Sequence, residues 1–215
     1  MSQSRVSHVY KAGAKDGLAA AGLKAGQVGF ESYVSLQAEN ERLTLELNQM
    51  RLRLLEVERA ADTDPLVPIY NRRAFIREVE KAKTVMSRYD ILSSVIFFDL
   101  NGFKGINDQY GHSIGDQLLL QVGDILSQNI RSCDLVARLG GDEFGVILFK
   151  SSLEETRAKA AALACHIAEQ YVELPTGKVC ISAAWGVAPC EADDTAEQIL
   201  SRADREMYAA KREAK

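Results

Sequence analysis

The stretch Gly-Gly-Asp-Glu-Phe, residues 140–144, stands between two short, largely apolar runs at residues 134–138 and 145–149. Two such runs joined through a glycine pair predict a β-hairpin, because glycine accepts the positive φ that a two-residue turn demands. Asp142 and Glu143 would then lie at the tip of the hairpin. A carboxylate pair at a turn can hold Mg²⁺ or Mn²⁺, act as a base, or simply remain solvated.

A second apolar run lies upstream, at residues 93–99, and it ends in an acid. A short, continuous apolar run of this kind predicts a buried strand, here with Asp99 at its carboxyl end. Residues 99–116 then read Asp-Leu-Asn-Gly-Phe-Lys-Gly-Ile-Asn-Asp-Gln-Tyr-Gly-His-Ser-Ile-Gly-Asp.

This segment, taken with residues 140–144, resembles the GGDEF domain, the diguanylate cyclase family. It departs from the family pattern at Asn101, where a second Asp is usual. Further matches at residues 71–75 and 203–211 extend the resemblance over residues 62–215. The resemblance implies the α+β fold of the nucleotidyl cyclases and the polymerase palm.

The composition of the chain argues against several other classes of protein. A chain of 215 residues with 47% hydrophobic residues can fill the core of one domain and carry an appendage. A net charge of -4 argues against a nucleic-acid partner. The 4 cysteines have no Cys-x-x-Cys spacing, which argues against a zinc site or a disulfide framework. No apolar run reaches the ~18 residues of a membrane span, so we expect a cytoplasmic protein without a membrane partner.

Hydrophobic periodicity predicts an alternation of helices and strands after residue 62, and hence a central sheet of about five strands flanked by helices. The predicted helices cover residues 71–87, 113–130, 152–171 and 195–212, and the predicted strands cover residues 93–99, the hairpin 134–149 and residues 178–187.

A heptad repeat occupies residues 31–61, ahead of the catalytic domain, and predicts a long helix in a parallel dimeric coiled coil. Asn40 would favour pairing with its own copy, since a polar seam residue selects register and a dimer. The alternative is a single amphipathic helix folded against its own domain. We assign no role to residues 1–30, which would be partly helical or disordered. The seam positions are Tyr33, Leu36, Asn40, Leu43, Leu47, Met50, Leu54, Val57 and Ala61.

The resemblance implies condensation of two GTP molecules into cyclic di-GMP, with two divalent ions, Mg²⁺ or Mn²⁺, in each active site. The metal ligands that it implies are Asp99, the Leu100 carbonyl and Asp142. Asp142 is also the implied proton acceptor, with Glu143 supporting it, and the residues alone do not distinguish the two as base.

Three lysines are expected to contact the polyphosphate of the substrate. By resemblance, Lys104 and Lys211 contact the phosphates as point charges, although either alone would be read as a solvated surface residue. Lys215 stands where a phosphate-binding Arg is expected, and a lysine keeps the charge but loses the bidentate fork.

Guanine recognition is assigned to Asn107 and Asp116. A carboxylate can accept hydrogen bonds from the N1–H and N2–H₂ edge of guanine, whereas adenine offers no such donor pair, so Asp116 favours GTP over ATP. His112 contacts the substrate by resemblance; its alternative role is a hydrogen bond that shapes the start of a helix.

The spacing Arg131-x-x-Asp134, just before the hairpin, matches the inhibitory site of the family, where product is held. Arg can stack on a purine and fork onto its acceptor edge, while Asp accepts from guanine N–H groups. We expect Arg138 to add to this pocket. A surface ion pair is the alternative for such a spacing.

Three functions therefore compete. The first is a homodimeric diguanylate cyclase, in which the coiled coil brings two half-sites together and cyclic di-GMP inhibits the enzyme. The second is a non-catalytic cyclic di-GMP receptor, against which the intact acids at Asp142 and Glu143 argue. The third is a cyclase that makes mixed dinucleotides, against which Asp116 argues.

Overall fold

The computed structural model describes residues 35–58, 61–175 and 177–213. The chain divides into two units, the first ending at Glu58 and the second beginning at Arg59. The predictions for residues 1–30 and for Lys215 lie outside the described residues.

In the first unit, residues 35–58 form one helix, α1, which agrees with the helix predicted from the heptad repeat. Arg42 pairs with Glu39 at 2.6 Å and with Glu46 at 2.7 Å, one turn away on either side. The coiled-coil dimer itself stays a prediction. The large apolar side chains at the seam positions are exposed in the single chain: Leu36, Leu43, Leu47, Met50, Leu54 and Val57.

The second unit is built on a five-stranded sheet, as predicted, with the strand order β1-β3-β4-β2-β7. The pairing of β1 with β3 is parallel, and the other pairings in this sheet are antiparallel. Its strands are β1 (Tyr70–Asn71), β2 (Ser93–Leu100), β3 (Leu135–Arg138), β4 (Glu143–Phe149) and β7 (Ala183–Pro189).

Helices cover both faces of this sheet. Along β2, alternate side chains enter two different cores: Ile96 and Phe98 pack in the core that contains residues of α4 and α5, while Val95 and Phe97 pack in the core that contains residues of α2 and α6. These helices are α2 (Arg72–Tyr89), α4 (His112–Gln128), α5 (Leu153–Ala168) and α6 (Ala196–Glu213). The α+β fold predicted from the sequence is therefore confirmed.

The close packing of α6 on β7 depends on Gly186. A Cβ atom added to Gly186 would lie 2.1 Å from the Ala203 carbonyl oxygen and 2.4 Å from the Met207 nitrogen. The glycine thus brings the backbone of α6 almost onto the sheet, and α6 carries Lys211 on its last turns.

Two parts of the predicted secondary structure were wrong. Residues 103–110, for which neither a helix nor a strand was predicted, form a short helix, α3 (Phe103–Tyr110). The single strand predicted at 178–187 is two strands, β6 (Gly177–Cys180) and β7, and β6 pairs with β5 (Tyr171–Leu174) in a separate two-stranded sheet. A continuous apolar run cannot show such a break, because periodicity does not record which partner each half of the run bonds to.

The predicted turn of the hairpin was also wrong. Residues 139–142 connect β3 to β4, and neither Gly140 nor Gly141 has a positive φ. The loop is closed by a hydrogen bond from the Leu139 nitrogen to the Glu143 oxygen, 2.8 Å long. The glycine pair therefore does not form the tight two-residue turn that was predicted.

None of the helices in the described part of the chain has the length and apolar character needed to cross a membrane.

Candidate active site

The acidic residues predicted at two strand ends come together at one edge of the sheet. β2 and β4 are antiparallel neighbours, and their register places Asp99 opposite Glu143. The Leu100 nitrogen donates a hydrogen bond of 3.1 Å to the Asp142 carbonyl oxygen, which ties the loop to the end of β2. Carboxylates from two strands are thus gathered at one place.

The loop of residues 139–142 is held by an arginine. The Arg138 guanidinium donates to the Gly141 carbonyl at 3.2 and 2.7 Å, and it also pairs with Asp64 at 3.2 Å. A Cβ atom on Gly140 would lie only 2.7 Å from the Glu143 carboxylate. Gly140 therefore serves a close approach, since it leaves room for the Glu143 side chain to fold back over the loop.

The environment of Glu143 favours its protonated form. Burial raises the pKa of the Glu143 carboxyl above its ordinary value. The positive charge of Arg72 opposes this rise in pKa, while the negative charges of Asp99, Asp142 and Asp204 add to it. The carboxylates of the site therefore interact with one another, and Glu143 holds a proton more readily than an exposed Glu.

Arg72 was not assigned a role from the sequence. It is the first residue of α2, and its guanidinium donates to the Leu139 carbonyl at 3.5 Å, so it touches the same loop as Arg138. Its place within the matched segment 71–75 was the signal that could have identified it.

The Lys211 side chain is already paired with a carboxylate of the chain. Its ammonium group forms an ion pair with the Asp99 carboxylate, across 112 residues of sequence. Lys104, on the first turn of α3, is exposed. Lys211 thus supplies the compensating positive charge at the strand end where a metal ligand is expected.

The residues present fit a hard divalent cation of the Mg²⁺ type. Asp99 and Asp142 offer carboxylates from neighbouring strand ends, and the Lys211 ammonium shows that the Asp99 carboxylate accepts a cation there. Within residues 35–58, 61–175 and 177–213, no group of three or more His, Cys, Asp and Glu side chains is arranged to hold a metal ion. Mg²⁺ commonly uses one or two carboxylates together with phosphate oxygens and water, so a sparse protein donor set suits it.

The predicted guanine-binding residues lie where α3 meets α4. A Cβ atom on Gly115 would lie 1.9 Å from the Asn107 Oδ1 atom, so this glycine leaves room for the Asn107 side chain between the two helices. The Asn107 Oδ1 atom is buried and has no hydrogen-bond partner among the described residues. His112 and Asp116, in the first turns of α4, are both exposed. An unpaired amide oxygen beside an exposed carboxylate provides polar groups for a ligand.

The predicted product site is only partly as expected. Arg131 and Asp134 both line a cavity of 660 Å³ between the end of α4, the end of β4 and α5. The Asp134 carboxylate already accepts hydrogen bonds from the Arg131 nitrogen at 3.0 Å and from the Phe149 nitrogen at 3.1 Å. Asp134 therefore has a structural role in closing the start of the hairpin.

The assignment of Arg138 to this pocket was wrong. Arg138 lies at the opposite end of β3 from Asp134, and its guanidinium is committed to Asp64 and to the Gly141 carbonyl. The other cationic groups that line the cavity with Arg131 are Lys150 and Lys159.

Comparison with known proteins identifies the family of the chain. The family model for "Diguanylate cyclase, GGDEF domain" matches residues 61–215. The bifunctional diguanylate cyclase/cyclic di-GMP phosphodiesterase MucR of Pseudomonas aeruginosa is 34% identical over 82% of this chain, which corresponds to 25% of MucR. The diguanylate cyclase DgcS of Shewanella oneidensis is 33% identical over 77% of this chain and 54% of its own length. The chain thus spans about a quarter and about half of these relatives.

Solved structures agree with this family. The coiled coil and GGDEF domain of DgcB from Caulobacter crescentus, solved with c-di-GMP, superpose with a TM-score of 0.73 and 26% identity, covering 83% of this chain and 95% of that one. SiaD from Pseudomonas aeruginosa, at 23% identity, shares the fold with a TM-score of 0.78, covering 98% of this chain and 79% of that one. The family match covers most of the sequence, and the chain belongs to the GGDEF domain family of diguanylate cyclases.

Proposed function

We propose that this protein is a diguanylate cyclase, which condenses two GTP molecules into cyclic di-GMP and releases two pyrophosphates. The observation that carries the proposal is the gathering of Asp99, Asp142 and Glu143 at adjacent strand ends beside Lys211, in a chain of this family. These are the groups that phosphoryl transfer to a sugar hydroxyl needs, namely cation-binding carboxylates, a proton acceptor and a cation for the phosphates.

In the proposed reaction, the 3′-oxygen of one GTP attacks the α-phosphorus of the other, and the bond to the pyrophosphate oxygen breaks. The reciprocal attack then closes the ring and releases the second pyrophosphate. The proton of each attacking hydroxyl passes to the carboxylate of Asp142 or of Glu143, where the loop of residues 139–142 joins β4. The raised pKa of Glu143 suits it to accept this proton, and Asp142 lies next to it. Divalent ions bound by Asp99, the Leu100 carbonyl and Asp142 would neutralise charge on the attacking and leaving oxygens.

Selection of GTP is proposed to depend on Asn107 and Asp116. The unpaired Oδ1 atom of Asn107 supports this role, because a buried acceptor without a partner gains most when a ligand supplies a donor. Asp116 would accept from the guanine N–H edge, which adenine lacks.

A homodimer is proposed because one site of this kind holds one GTP, and the reaction requires a second GTP facing it. The exposed seam of α1 supports this proposal, since leucines at seam positions would be buried by a second copy. Pairing two half-sites replaces a bimolecular encounter with a high effective concentration.

Product inhibition is proposed to depend on Arg131 and the cavity that it lines. Arg131→Ala should weaken product inhibition. The hairpin should still form in this variant, because the backbone nitrogen of residue 131 can still donate to Asp134. Asp134→Ala is a poor test of ligand binding, since two backbone N–H groups would lose their acceptor. Inhibition by added cyclic di-GMP that is the same in Arg131→Ala and the parent would contradict this role.

The proposed function is tested by incubating the protein with GTP and Mg²⁺ and separating the products by chromatography. We expect cyclic di-GMP from the parent and none from Asp142→Ala. Tight binding of added cyclic di-GMP without any turnover by the parent would favour the receptor function instead.

A further inference from the structure

One face of α6 borders the candidate active site. Its members recur every three or four residues, which is the spacing of a single helical face. They are Glu197, Ser201, Asp204, Tyr208 and Lys211. The first three line a cavity of 230 Å³ together with Glu143, and Lys211 pairs with Asp99. Tyr208 therefore lies on the helical face whose other members reach the acidic groups of the site.

Tyr208 is a large aromatic side chain that the single chain leaves in solvent, with 60% of its surface exposed. It stands one turn after Asp204 and one turn before Lys211. None of the functions derived above has used it. An exposed ring at the rim of a polar site can stack on a flat ligand group and bury both surfaces.

The two ends of a bound nucleotide would lie on opposite faces of the sheet. The helices α3 and α4, which carry the proposed guanine-binding residues, place Phe103 and Leu118 in the core on one face. The helix α6, which carries Lys211, places Ile199 and Met207 in the core on the other face. A GTP therefore crosses the end of β2, with its base on the side of α3 and α4 and its phosphates on the side of α6.

The proposed reaction sets how two such nucleotides face each other. Each 3′-oxygen must reach the α-phosphorus of the other GTP, so the two nucleotides run antiparallel and a two-fold axis relates the protomers. Reversing the nucleotide also reverses the faces of the sheet. The α3 and α4 side of one protomer thus faces α6 of the other, and the guanine held by one protomer lies opposite the face that carries Tyr208 in its partner.

We propose that Tyr208 of one protomer stacks on the guanine of the GTP held by the other protomer, as a further substrate-binding residue that acts in trans. The proposal rests on the proposed function. Asn107 and Asp116 would hold the edge of the base, which leaves its flat face for an aromatic ring. Each nucleotide site is then incomplete without the second copy of the chain.

The test is calorimetric binding of 3′-deoxy-GTP to the whole chain with Mg²⁺, since this nucleotide lacks the attacking hydroxyl and cannot react. Tyr208→Ala should weaken binding at least about fivefold, the lower end of what one stack between a base and an aromatic ring contributes. Tyr208→Phe keeps the ring and should bind as the parent does. An affinity unchanged in Tyr208→Ala, or equally reduced in Tyr208→Phe, would overturn the stacking contact.

Tyr89→Ala is the matched control. Tyr89 is 69% exposed and is the last residue of α2, which leads into the end of β2 opposite Asp99. Its removal should leave the affinity for 3′-deoxy-GTP unchanged. A loss as large as that in Tyr208→Ala would show that the effect does not depend on the position of Tyr208 and would overturn the proposal.

Mixed dimers distinguish a contact in trans from one within a protomer. Two chains with different affinity tags are co-produced, and dimers that carry both tags are isolated. In the first dimer, one chain carries Tyr208→Ala and the other carries Asn107→Ala with Asp116→Ala, so the intact guanine pocket faces an intact tyrosine of the partner. In the second dimer, one chain carries all three changes and the other none, so the intact pocket faces an alanine.

A contact in trans predicts the affinity of the parent for 3′-deoxy-GTP in the first mixed dimer and the weaker affinity of Tyr208→Ala in the second. The reverse result would place the tyrosine on the nucleotide of its own protomer and would overturn the proposal. Failure to recover any dimer with both tags would overturn it as well, because the contact requires two protomers.

The contact in trans and the cyclase fail in different ways. A parent that makes cyclic di-GMP, while Tyr208→Ala binds 3′-deoxy-GTP as tightly as the parent, would refute the contact and leave the cyclase intact. A parent that binds 3′-deoxy-GTP through the tyrosine of its partner but makes no cyclic di-GMP would refute the cyclase and leave the contact.

Discussion

The ion pair between Lys211 and Asp99 predicts that Lys211 competes with metal. In the structure, the Lys211 ammonium neutralises the carboxylate that a divalent ion would use. Binding of metal without nucleotide must break this pair, whereas a nucleotide offers Lys211 a phosphate in exchange. Lys211→Met should therefore bind Mn²⁺ alone more tightly than the parent, while its affinity for GTP falls.

The magnitude follows from the exposure of the two side chains, which is 31% for Lys211 and 24% for Asp99. Two unit charges about 4 Å apart interact by about 4 kcal/mol at the effective dielectric of about 20 found near protein surfaces. Desolvation and side-chain ordering offset most of this, and exposed pairs measure about 0.2–1 kcal/mol. We take about 1 kcal/mol for this partly buried pair, which corresponds to about fivefold tighter Mn²⁺ binding.

The assay is titration of free Mn²⁺ by electron paramagnetic resonance in the absence of nucleotide. Lys104→Met is the control, since Lys104 is an exposed cation next to the site and has no ion pair with Asp99. It should change Mn²⁺ affinity less than Lys211→Met. Equal or weaker Mn²⁺ binding by Lys211→Met would refute the idea that this lysine occupies the place of the metal.

Three further predictions follow from the seam of α1, the packing of α6 on β7 and the half-buried carboxyl of Glu143. Leu47→Asp combined with Leu54→Asp should convert a dimer to a monomer in sedimentation and abolish activity at low protein concentration; full activity of the monomer would refute the role of the seam. Gly186→Ala should lower the free energy of unfolding, measured in urea, by about 1–3 kcal/mol, because the added Cβ atom would collide with the backbone of α6. Gly141→Ala is the control: a Cβ atom at Gly141 would meet open space, so this variant should change the free energy of unfolding by less than about 0.5 kcal/mol. Glu143→Gln should raise stability at neutral pH, because the raised folded-state pKa of Glu143 means that its ionisation costs more in the folded state. This gain should shrink as the pH falls through the folded pKa and vanish below the unfolded value of 4.5; a gain that grows towards acid pH would contradict it.

The sequence predicted those elements whose signal is local. Residues 95–98 are all apolar because β2 lies at the inside of the sheet with both faces covered, so this pattern can be recognised without knowing which strands pair with β2. The glycine pair and the acids of residues 140–144 likewise placed the hairpin correctly. The short helix α3 was missed because Gly102 and Gly105 look like loop residues, although Gly102 in fact supplies the left-handed cap before the helix.

What the sequence did not predict depends on contacts between distant residues. Arg138 meets Asp64, 74 residues earlier, and this contact removes it from the product pocket. Lys211 meets Asp99 across 112 residues, and Arg157 meets Glu206 across 49. Spacing along the chain records none of these pairs, since they exist only after the sheet and its helices have assembled.

The proposed cyclase is tested most directly by the ratio of products formed from GTP. Cyclic di-GMP and pyrophosphate are quantified over time for the parent and for Asp142→Asn, with Mg²⁺ present throughout. A cyclase that joins two GTP molecules yields one cyclic di-GMP for every two pyrophosphates, and Asp142→Asn yields neither. Pyrophosphate or phosphate without cyclic di-GMP, or equal turnover by Asp142→Asn, would contradict the account.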